Sequence, residues 1–236
     1  MKVRQPVTAG RRTPPAGLPA AEAPWWRVVT GVEVLLAVAA VALDLLLPAL
    51  VILGLAVVSL AVRRQGPGSL GLHRVSRPGR LVLQALGLAL VWSLLNVGLT
   101  KPVMEHLTGD RQDVSAFAEI EGNVPLLLLL LALSWTLAAF VETVAFTGFV
   151  QTRMAQLLGT GILALPLAVL AASLVFGFLH TEQGVVGVTV STIDAIFYAV
   201  LRYRYGSLWL PILTHGLINT IGMVTFFAVG PVYGLW

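Results

Sequence analysis

Five polar side chains stand inside otherwise apolar runs of this sequence: Glu142, His180, Asp194, His215 and Asn219. Their types suit acid–base work in a water-poor setting. A carboxylate beside an imidazole can take a proton from water and return it near neutrality. Asn supplies an NH₂ donor and His a ring N–H, the groups that hold a developing oxyanion. Two His and one Glu are also a possible zinc set, so a metal stays open as an alternative. Cysteine is absent, which excludes disulfides and thiolate sites.

These residues need a scaffold, and composition says which kind. Only 11% of the 236 residues are charged, 57% are hydrophobic, and the mean hydropathy is +0.89. A soluble domain carries roughly 25% charged residues because its surface faces water. The exterior of this chain must face lipid. The net charge of +4 does not point to nucleic acid, because the bases lie in short segments between apolar runs.

Residues 1–24, rich in Pro, Ala and Arg, read as a disordered N-terminal tail, and 25–236 as a transmembrane helical domain. Between Arg27 and Arg63 only Glu33 and Asp44 are charged, and Pro48 can open a helix, so two short spans fit better than one. Further spans are predicted at about 81–99, 124–158, 162–180, 185–201 and from Ser207 onward, with 101–123 a polar connection. The expected fold is all-α and polytopic, with seven or eight transmembrane helices around a polar cavity. Arg-rich segments alternate with neutral or acidic ones, which places the N-terminus in the cytoplasm. Glu33 is expected near an interface, as are Trp25, Trp26 and Trp209, while His73 and His106 fall in connections.

A charge at mid-bilayer costs about 2.5–3.5 kcal/mol on the lenient insertion scale, so each ionisable residue in a span asks for a reason. Glu142 lies 11 residues before Arg153, and His215 lies 11 after Arg204. At α-helical rise both sit about 16 Å from those inner markers, near mid-layer. His180 comes to a similar level when 124–158 and 162–180 fold as a hairpin about Thr160. Asn219, four residues after His215, shares its helix face.

Three motifs then stand in order: Glu142-Thr143-Val144-Ala145-Phe146-Thr147-Gly148, Phe176-Gly177-Phe178-Leu179-His180, and His215-Gly216-Leu217-Ile218-Asn219. The sequence resembles the CAAX prenyl protease and bacteriocin-processing family of glutamate-type intramembrane proteases. Its patterns are E-E-x-x-x-R, F-x-x-x-H and H-x-x-x-N/D. The resemblance covers about 124–220, with Tyr205-Gly206-Ser207-Leu208-Trp209-Leu210-Pro211-Ile212 as a typical lead-in and Ser69-Leu70-Gly71-Leu72 as a weaker echo. Thr143 stands where the family has its second Glu, and Thr147 where it has Arg. Both members of a possible i, i+4 ion pair have gone together, which strands no charge.

The resemblance implies that Glu142 and His180 polarise a water for attack on a peptide carbonyl. It implies that His215 and Asn219 hold the oxyanion, with Phe176 in a supporting place and no metal or other cofactor. The implied substrate is a membrane-associated peptide or protein, and the implied location is the bacterial cytoplasmic membrane. The lipid bilayer is the other expected partner, and nucleic acid is not one. A non-catalytic scaffold or bacteriocin self-immunity protein is the alternative, favoured by Thr143 and Thr147. A proton-coupled transporter is a third, disfavoured because no pair of Gly/Pro-broken helices recurs in matching halves.

Overall fold

The computed structural model describes residues 24–230 apart from Leu46. The expected tail 1–24, save Pro24, and the segment after Gly230 lie outside the described residues. Helix α1 spans Pro24–Ala42 and α2 Pro48–Val62, so the apolar stretch does divide at Asp44–Pro48. Helix α3, Pro78–Leu95, passes through a π turn, Asn96–Thr100, into α4, Lys101–Thr108. Helix α5, Val124–Leu133, runs on through a π-helical segment, Ser134–Val150, into α6, Gln151–Leu158. Helices α7, Ala164–Phe178, α8, Gly184–Tyr205, and α9, Trp209–Val229, complete the bundle.

Local sequence explains these bounds. Proline stands in the first turn of α2, α3 and α5, where a missing N–H costs nothing. Asn123 caps α5 by accepting from Leu126 N at 3.2 Å. Helix α8 ends at Gly206, whose φ of +67° suits a residue without Cβ.

Among the described residues, five helical runs are long and apolar enough to cross a membrane: Trp25–Ala42, Pro78–Thr108, Val124–Leu158, Thr181–Tyr205 and Trp209–Val229. Two shorter apolar helices, α2 and α7, lie beside them. The protein is an all-α, polytopic membrane protein. Its outer faces carry large apolar side chains such as Leu35, Leu83, Leu94 and Leu128, and its interior is rich in buried alanines, among them Ala40, Ala85, Ala145 and Ala168. This is the arrangement expected where lipid already solvates leucine and helices associate through close backbone packing.

One expectation changes, and two charged residues gain partners that the sequence did not indicate. The polar connection predicted from residue 101 begins with two further helical turns, because α4 continues α3 through the π turn. Glu33 is buried in the protein, where its Oε2 accepts from Arg63 Nη2 and forms an ion pair with Arg153 Nε, each at 3.0 Å. Arg153, taken from sequence as an inner basic marker, is 1% exposed and also reaches Ser59 and Gln156.

Candidate active site

The π-helical segment Ser134–Val150 carries Glu142 and Thr143, α7 ends in the turn that holds His180, and α9 carries His215 and Asn219. In a π-helix each N–H bonds five residues back, so the turn is wider than in an α-helix, and such turns recur at functional sites. Depths counted at α-helical rise therefore do not apply to Glu142.

Two glycines let these elements approach. A Cβ on Gly216 would lie 2.6 Å from the Trp135 ring, so α9 meets the π segment there only because Gly216 has none. A Cβ on Gly177 would lie 2.7 Å from Val188 O and closer still to Thr192 Oγ1, which brings α7 against α8 just before His180. Both glycines sit inside the motifs, and their packing role was not read from the sequence.

The result is a cavity of about 660 Å³ lined by Glu142, Phe176, His180, Asp194, His215 and Asn219 within largely apolar walls. Glu142 is half-buried, and its Oε2 is sealed from solvent without a hydrogen-bond partner among the described residues. Phe176 packs between the two imidazoles, 4.9 Å from His180 and 6.4 Å from His215 between ring centroids. Thr143 and Thr147 are buried beside this group.

Each imidazole has one nitrogen engaged. His180 Nδ1 lies 3.1 Å from the Phe176 carbonyl oxygen. A carbonyl only accepts, so Nδ1 carries the proton in neutral His180 and Nε2 is left as an acceptor. His215 Nδ1 meets Thr143 Oγ1 at 3.2 Å, and the Tyr198 ring stacks on it at 4.8 Å and 21°. The sequence gave no pointer to Tyr198.

Two further polar groups were legible only in part. Asp194, one of the five polar side chains in apolar runs, accepts from Trp92 Nε1 at 2.6 Å and Asn96 Nδ2 at 2.9 Å. It also lines the cavity. Arg202, two residues before the inner marker Arg204, is buried; it donates to the Thr147 carbonyl oxygen and, at 2.7 Å, to Thr152 Oγ1. Position 147 thus lies next to a guanidinium supplied by α8. Among the described residues no three His, Asp or Glu side chains cluster closely enough to hold a metal ion.

Residues 124–221 match the family described as "Type II CAAX prenyl endopeptidase Rce1-like", from the first residue of α5 to just past Asn219 in α9. Over this stretch the chain is similar to the CAAX prenyl protease and bacteriocin-processing family, and the match supports membership of it. Neither a curated protein nor a solved structure matches it.

Proposed function

We propose that this protein is an intramembrane endopeptidase that hydrolyses a peptide bond of a membrane-associated peptide or protein. The observation that carries the proposal is the meeting of Glu142, His180, His215 and Asn219, from three separate helical elements, in one apolar-walled cavity. In this scheme Glu142 takes a proton from a water whose second hydrogen is accepted by His180 Nε2. The water oxygen attacks the scissile carbonyl carbon, and the carbonyl oxygen becomes an oxyanion held by His215 and Asn219. Glu142 then returns the proton to the amide nitrogen as the C–N bond breaks, leaving a carboxylic acid and an amine. Asn219 makes no side-chain hydrogen bond to the described residues, so its NH₂ group is available for this role. The scheme uses no metal or other cofactor.

The same proposal places the chain in a bacterial cytoplasmic membrane, N-terminus inside, with substrate drawn from the bilayer. Comparative proteomics of membranes carrying the wild-type protein or Glu142→Gln would supply a cleaved peptide. That peptide is then assayed with purified protein in lipid vesicles. Glu142→Gln and His180→Ala are each expected to lower turnover by about 100-fold or more, the scale of lost general acid–base catalysis. Undiminished turnover in both variants would sink the mechanism, whereas the non-catalytic scaffold predicts no turnover by the wild type and an intact cellular phenotype in Glu142→Gln.

A further inference from the structure

The hydrogen-bonding of Thr143 decides which ring nitrogen of His215 faces the cavity. Thr143 lies 2% exposed, and among the described residues its hydroxyl bonds only to His215 Nδ1. While the buried Thr214 hydroxyl has no partner among the described residues, several helical threonines elsewhere in the chain send their proton to the carbonyl four residues back, as Thr152, Thr192 and Thr220 do. Thr143 does not. If Nδ1 carried a proton and donated it, the hydroxyl hydrogen would be left buried without an acceptor. The arrangement that satisfies both groups has the hydroxyl donating to an unprotonated Nδ1.

We propose that Thr143 is a positioning residue that holds His215 as the Nε2–H tautomer and so makes it a hydrogen-bond donor to the cavity. His180 is held in the opposite tautomer by the Phe176 carbonyl, so the two imidazoles present an acceptor and a donor to the same space. Tyr198, stacked on His215, keeps the ring from turning about its Cβ–Cγ bond. A carboxylate at position 143 would do the reverse, since it accepts from Nδ1–H and leaves Nε2 bare. The threonine is thus a working part of the site rather than a scar of lost chemistry. This inference rests on the proteolytic proposal for its purpose, though its spectroscopic test does not.

The test uses the full chain labelled with [¹⁵N]histidine in lipid nanodiscs; the sequence has four His, and His215→Asn identifies the resonances of that ring. In the wild type, His215 is expected to show an unprotonated Nδ1 and a protonated Nε2. Thr143→Ser is expected to keep this spectrum, Thr143→Glu to invert it, and Thr143→Val to give exchange between both tautomers. Against the peptide identified with Glu142→Gln, Thr143→Val is expected to lower kcat on the order of 10- to 100-fold at little-changed KM, the scale of a misplaced catalytic group, and Thr143→Ser to recover most of it. A wild-type His215 protonated on Nδ1, or a Thr143→Val spectrum like the wild type, overturns the assignment. Cleavage that survives Glu142→Gln overturns the proteolytic proposal instead, and the spectra still judge Thr143.

Discussion

At the scale of single residues, the site combines groups that are held with groups that are free. His180 and His215 are each fixed by a partner, whereas the Glu142 carboxylate and the Asn219 amide face the cavity without a hydrogen bond to the described residues. A donor that acts only on the oxyanion contributes to the transition state and not to substrate binding. Asn219→Ala is therefore expected to lower kcat about 100- to 1,000-fold with KM nearly unchanged, in line with loss of one oxyanion donor. Asn219→Asp, which keeps the shape and loses the donor when ionised, is expected to be as poor. Steady-state kinetics on the proteomically identified peptide decide the point. A parallel rise in KM with intact kcat would make Asn219 a substrate-binding residue instead.

At the scale of elements, the close approaches at Gly177 and Gly216 set the spacing of the three site-bearing helices. Gly216→Ala would drive a methyl into the Trp135 ring, and Gly177→Ala would press on a backbone carbonyl that cannot move aside. Each is expected to cost about 1–3 kcal/mol, as overpacking does, and to lower the thermal midpoint in detergent. Gly87, in α3, has nothing within 4 Å of an added Cβ, so Gly87→Ala is the control and is expected to leave the midpoint unchanged or raise it. Equal midpoints for all three variants would sink the packing role. The sequence made much of this level legible. Hydropathy placed the spans, Pro48 divided the first pair, and the order of motifs placed Glu142, His180, His215 and Asn219. The π segment was not legible, because five-residue hydrogen bonding leaves no hydrophobic period in a run such as Val124–Leu158 that is apolar on all sides. For the same reason the α4 extension was missed. Lys101 reads as the end of a span, yet the helix continues past it.

At the scale of the whole molecule, the polar residues divide into two groups with different work. One lines the cavity. The other, remote from it, ties α1 and α2 to the end of the helix that bears Glu142. Glu33 in α1 takes a hydrogen bond from Arg63, just past α2, and forms an ion pair with Arg153 in α6, while Arg153 also grips Ser59 in α2. Sequence could not reveal this group, since Arg63 and Arg153 look like ordinary inner-loop bases until three helix ends converge on one carboxylate. Neutralising Glu33 removes the carboxylate that two guanidinium groups share in a poorly hydrated place, and breaking a buried ion pair costs about 3–5 kcal/mol. Glu33→Gln is expected to lower the thermal midpoint of the purified protein far more than the surface change Asp44→Asn, because Asp44 is exposed at a turn. Replacing the charges together, as Glu33→Leu with Arg63→Met, is expected to recover part of the loss, since fewer buried charges then lack a counterion. If Glu33→Gln melts with the wild type, the cluster does not brace the bundle, and the position of the Glu142 helix must depend on the apolar and glycine contacts alone.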